Sequence, residues 1–167
     1  MPKRKESVFD VVLNVYGSLE NPSFAFKVRA LASRPYDQIV MRVLKGVWMQ
    51  EVTDTNYDVA FEYLLRDEQQ QWRLELSMVS AYAVLLRTGL DNTSKVVEPV
   101  GMQTTMLEQW LFDVLRQDDI EILSADVLSK PVPIRLTNVS PEHAQLYHAL
   151  FSDVPIIPWR DKYKPVP

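Results

Sequence analysis

The chain has 167 residues, of which 47% are hydrophobic, enough to bury the core of one domain. Its 18 basic and 22 acidic side chains leave a formal charge of -4, which argues against a protein whose main task is gripping a phosphate backbone. No cysteine is present, which excludes disulfides, thiolate metal sites and cysteine nucleophiles together.

The opening carries Lys3, Arg4 and Lys5, and the apolar run that follows is interrupted by Asp10 and Asn14, so residues 1–6 read as an arm and no secretion signal is expected. Over residues 7–16, Phe9, Val11, Leu13 and Val15 alternate with polar neighbours and predict a strand. Turn chemistry over Gly17 to Pro22 leads into a second predicted strand over 23–30, with Phe24, Phe26 and Val28 on one face and Lys27 and Arg29 on the other. Residues 36–50 fit a helix through Val40, Leu44 and Trp48 as well as they fit a strand.

Residues 57–66 alternate through Val59, Phe61, Tyr63 and Leu65, and 72–78 through Trp72, Leu74, Leu76 and Met78, with Asp67 to Gln71 as a charged connection. This predicts a long antiparallel hairpin over 57–87, with a continuous helix as the rival. Past Met78 the polar slots fill with Val79, Ala81, Ala83 and Leu85, so a strand continuing there needs cover on both faces. Residues 104–116 form the clearest helix: Thr105 and Glu108 have capping-box spacing ahead of the stripe Met106, Leu107, Trp110, Leu111, Val114 and Leu115. Residues 120–128 alternate again, and Pro131 and Pro133 confine 132–137 to an edge strand or an extended loop. A short helix is expected from Ser140, with Pro141 at its first position. Four prolines after Val154 stop any helix and predict an extended arm over 154–167.

Together these elements predict an α+β fold: an antiparallel sheet, sandwich-like or a single twisted one, packed by one main helix, with residues 7–153 as the domain between two arms. No stretch approaches the roughly 20 apolar residues that span a bilayer. The chain is therefore expected to be soluble, cytoplasmic or in a virion.

The candidate chemistry is sparse. His143 and His148 stand five apart on the expected short helix, whereas a shared metal wants three or four, so both read as surface residues. Asp118, Asp119 and Glu121 form the densest acidic group, at a position where a polar turn is needed anyway. Four glycines, none in a phosphate-cradling arrangement, exclude the common nucleotide folds. The Asn92 and Asn138 glycosylation patterns read as chance without a signal peptide. No cofactor, metal or catalytic residue is expected. The end of the chain mixes anchors with charge: Ile156, Ile157, Trp159, Arg160, Lys162, Tyr163 and Lys164 are the expected partner-binding residues, with a self-packed tail and single-stranded nucleic acid as the alternatives.

The stretch Asn21-Pro-Ser-Phe-Ala-Phe-Lys-Val28 resembles the opening strand of phage tail-tube and related baseplate proteins, in which an arm and a Pro-containing turn precede an aromatic, basic, alternating strand. That resemblance implies a ring-forming β-sandwich with one flanking helix and carries over no functional residue. The expected function is a non-enzymatic subunit of a protein assembly, a phage tail or virion among them, whose partners are its own copies or neighbouring chains. Two alternatives stand beside it. One is an acidic immunity or inhibitor protein binding through Asp67, Glu68, Asp118, Asp119 and Glu121; the other is an enzyme with a site assembled from scattered polar residues.

Overall fold

A computed structural model describes residues 5–161, and in it the chain begins with helices where alternation predicts strands. Helix α1 spans Val8–Tyr16 and buries Val12 and Tyr16, four residues apart. Its ends decide the matter: the Ser7 side chain accepts the Asp10 N–H, and Gly17, at φ 75°, donates its N–H to the Leu13 carbonyl. Helix α2, Ala25–Ser33, buries Phe26 and Ala30 at the same spacing and leaves Val28 71% exposed, so the residues read as one strand face lie on opposite sides of a helix. Tyr16 ties the two helices by edge-on contacts with Phe24 and Phe26 at 5.6 and 4.9 Å.

Helix α3, Asp37–Leu44, resolves the ambiguity over 36–50, but through Ile39 and Val43, not through the exposed Leu44 and Trp48. It stops before Gly46, where a Cβ would meet the Trp110 ring at 2.5 Å. The chain then enters strand β1, Trp48–Glu51.

The hairpin reading of 57–87 is correct in kind and one turn short. Strand β2, Ala60–Arg66, pairs antiparallel with β3, Gln71–Ser77, and β3 pairs antiparallel with β4, Tyr82–Thr88. A turn at 78–81 divides what alternation reads as one strand; the Met78 N–H is taken by the Val59 carbonyl and that of Val79 by the Ser77 hydroxyl. Strand β5, Ser94–Val96, follows, and then helix α4, Met106–Gln117, whose Thr105–Glu108 capping box forms as expected. Over 120–128 only the two-residue strand β6, Glu121–Ile122, is extended; Ser124 then caps helix α5, Ala125–Leu128. Residues 132–137 form no strand and run as a loop, in which the Ile134 N–H bonds back to the Val132 carbonyl. The last helix, α6, is Leu146–Leu150: from Ser140 the chain makes a single turn over 141–143, the Ser140 carbonyl accepting the His143 and Ala144 N–H groups, and the bridge between Pro131 and Gln145 interrupts it before α6.

The fold is α+β, with a six-stranded, mostly antiparallel sheet in the order β1-β2-β3-β4-β5. β5 and the parallel β6 share the outer side of β4 at its opposite ends. One face carries Phe61, Tyr63, Leu65, Trp72, Leu74, Leu76 and Leu85, all at most 2% exposed. It lies under α4, the longest of the described helices, and the start of α3, where Tyr36 meets Phe61 edge-on at 6.0 Å. The other face carries Glu62, Arg73, Glu75, Val84 and Leu86, and α6 covers part of it: the Ser77 hydroxyl donates to the Leu150 carbonyl at 2.6 Å. Helix α1 backs α6 through the Tyr16 hydroxyl on the Ala149 carbonyl. The double cover that Val79 to Leu85 demands thus comes from within the chain. Among the described residues no helix is long and apolar enough to cross a membrane.

Candidate functional site

The second sheet face is only partly roofed, and the gap is a cleft of about 210 Å³. Its floor is the sheet, with Glu62 and Arg73. One wall is the loop Val52 to Asp58, and the other is the segment 152–158, with Tyr147 between. The two walls are stitched to each other: Asp58 and Ser152 form a bridge, the Val59 N–H donates to the Phe151 carbonyl, and the Asp153 N–H to that of Tyr57.

Charge converges here. Asp54 is exposed and turns its own loop, its Oδ1 accepting the Asn56 N–H. Asp58 is 6% exposed and accepts the Asp54 N–H at 2.7 Å; burial nevertheless raises its pKa. Glu62 pairs with Arg73, Oε1 to Nε 3.0 Å. Directly opposite Glu62, in register, stands Glu75, 1% exposed. Its Oε1 accepts the Tyr147 hydroxyl at 3.2 Å, while its Oε2 has no hydrogen-bond partner among the described residues. Burial raises the pKa of both glutamates, the Glu62 charge pushes Glu75 further, and Arg73 opposes the rise in both. Burial and Glu75 together raise that of Tyr147, which therefore stays a neutral donor. A nest of this kind can hold a cation between carboxylates, or pass a proton between them. Its mouth is apolar, with Val52 and Tyr57 at 40% and 44% exposure beside Val154, Ile156 and Pro158.

Of the residues expected at a partner surface, Ile156 lines this cleft, whereas Ile157 is 2% exposed in the chain's own core. Trp159 packs edge-on against Tyr147 at 5.0 Å, and Arg160 is exposed and paired with Asp161. Lys162, Tyr163 and Lys164 lie outside the described residues. The carboxylates expected at a basic partner mostly have local tasks. Asp67 accepts the Gln69 and Gln70 N–H groups of the β2–β3 turn, Asp118 pairs with Arg42, Glu121 pairs with Lys5, and Asp119 occupies a left-handed turn position at φ 55°. His143 is exposed, but His148 is buried, because every residue of α6 is; it accepts the Gln145 N–H through Nδ1. The two histidines line a separate depression with Arg160. Among the described residues no group of three or more His, Cys, Asp or Glu is arranged to hold a metal ion.

Sequence reading missed Asp54, Asp58, Glu62, Glu75 and Tyr147. Glu62 and Glu75 look like ordinary solvent-facing slots of two strands. The available signal was the turn: closing the hairpin over Asp67 to Gln70 sets Arg66 opposite Gln71 and therefore Glu62 opposite Glu75, a pairing of like charges that calls for an explanation.

No family model, curated protein or solved structure matches this chain.

Proposed function

We propose that the protein is a non-enzymatic binding protein that docks a basic partner protein at the acidic cleft. The observation that carries this reading is the placement of Asp54, Asp58 and Glu62 around a cleft whose mouth exposes Val52 and Tyr57. Asp54 is exposed while Asp58 and Glu62 are largely buried beside apolar side chains, so the cleft combines a charge that can steer a basic group with carboxylates that would meet it away from water. The test is a titration of the labelled protein with a lysine- and arginine-rich heptapeptide, followed by amide NMR shifts. The expected result is a salt-sensitive response centred on residues 52–62 and 152–158, weakened at least tenfold by Asp54→Asn with Asp58→Asn. A response centred elsewhere, or an equal response to an acidic peptide, would overturn the reading.

The subunit reading is favoured by a different feature, the sheet edge. The Val52 N–H bonds to the Glu62 carbonyl, so alternation turns the backbone groups of Met49 and Glu51 away from β2, next to Trp48, which is 47% exposed. That edge suits pairing with a strand of another chain. Size-exclusion chromatography with light scattering separates the two readings: a ring or other large homo-oligomer supports the subunit, and a monomer supports the cleft-binding protein. A place in a phage tail or virion is the narrower form of the subunit reading. The segment 21–28 that suggests it runs into α2 instead of a strand.

A further inference from the structure

Glu62 and Glu75 face each other from neighbouring strands, Glu75 buried and Glu62 partly so, and two like charges in that position repel. The charged groups around them come from every element that meets the cleft. Asp54 and Asp58 reach in from the loop before β2 and Arg73 from β3, the neutral Tyr147 hydroxyl comes from α6, and Lys27 of α2 interacts with Asp58, Asp153 and Asp54. Arg73 is already engaged by Glu62. The unpartnered Oε2 of Glu75 is a buried acceptor beside the cleft floor, on the sheet face that Glu62 and Arg73 share, with its sister oxygen held by a residue of the cleft lining. A buried acceptor left open costs free energy until a donor reaches it.

Resting on the cleft reading above, we propose that the ligand group is the guanidinium of an arginine, and that its arrival expels a proton that Glu62 and Glu75 share in the free protein. The guanidinium suits the site better than an ammonium because its planar fork presents several N–H donors to carboxylates at once and its face stacks on an aromatic mouth such as Tyr57. The balance is simple: one cation enters, one proton leaves to solvent, and the charge of the cleft stays the same. Binding therefore tightens as pH rises.

The test uses the whole chain and Nα-acetyl-L-arginine amide, a probe with a single charge, followed by amide NMR shifts at pH 6 and pH 8. Expected are shifts at residues 54–62 and 147–158 and an affinity that rises up to tenfold per pH unit, and so by as much as about a hundredfold from pH 6 to pH 8, as release of one proton requires. The matching lysine amide is expected to bind at least threefold more weakly. Glu75→Gln is expected to bind the arginine probe with a flat pH profile, while Asp58→Asn weakens binding and keeps the slope. Should either variant fail to fold, carboxyl-carbon titration of the wild type, with and without the probe, reads the same proton directly. Cleft binding with no pH dependence in the wild type overturns the shared proton and leaves the proposed function standing. Lysine binding equal to arginine overturns the guanidinium assignment. Unmoved cleft amides at both pH values, with the heptapeptide also inert, overturn the proposed function itself.

Discussion

Glu108 and Glu75 are both buried carboxylates, one on each side of the same sheet, and their surroundings are opposites. Glu108 receives four hydrogen bonds: from the Trp72 indole at 2.8 Å, from Arg87 Nε and Nη2 at 2.7 and 2.6 Å, and from the Thr105 N–H at 2.8 Å. Burial alone would raise its pKa, but the Arg87 and Trp72 bonds outweigh it and the net shift is downward. Glu75 has one neutral hydroxyl and a facing acid, and its pKa is raised. A carboxylate satisfied on all sides holds α4 to the sheet. One satisfied on a single side sits beside a cleft, where a ligand can complete it.

The contrast breaks most visibly at Glu108. Glu108→Ala leaves Arg87 without its carboxylate and is expected to lower stability by about 3 kcal/mol in urea unfolding, the lower part of the usual range because Arg87 keeps some contact with water. Trp72→Phe removes one bond to a charged acceptor and is expected to cost about 2 kcal/mol by the same measurement. Glu75→Gln is expected to act in the other direction, with a gain of about 1 kcal/mol at pH 8, since it removes a buried charge that nothing completes.

The two residues also impose opposite pH slopes. Glu108 has a lowered folded pKa, so its contribution is present above the unfolded value of about 4.5 and is lost as pH falls through the folded one. Glu75 has a raised folded pKa, so its favourable contribution is present below about 4.5 and is lost as pH climbs towards that raised value. Melting temperatures from pH 4.5 to 8.5 are therefore expected to decline less at the alkaline end for Glu75→Gln than for the wild type. The smallest effect is expected from Tyr147→Phe: a loss of at most about 1 kcal/mol and a further rise in the pH at which Glu75 ionises, read by carboxyl-carbon NMR.

How much of this was legible follows from what each signal encodes. The β2–β3 hairpin reads directly because Trp72, Leu74 and Leu76 keep strict period two, the break between β3 and β4 does not because the apolar run continues through Val79 and Ala81, and α4 reads directly because Thr105 and Glu108 mark its start. The first two helices were obscured by valine and phenylalanine, which favour strands and happen to alternate. The contrary signs were short-range: Ser7 three residues before Asp10, Gly17 after Tyr16, and buried pairs four apart at Val12 and Tyr16 and at Phe26 and Ala30. The cleft was illegible for another reason. Its acids come from a loop and two strands, and its roof from Tyr147 and the segment 152–158, so no window of sequence contains it; only the strand register and the long return of the chain assemble it.

That return has a consequence for timing. A ribosome delivers this chain from its amino end, so the strands of the sheet are all available once Ile122 has emerged, while one wall of the acidic cleft does not exist until Pro158 has followed. A nascent protein can complete its β-structure and still have nothing to offer a partner, which delays recognition until nearly all of the described polypeptide has been translated.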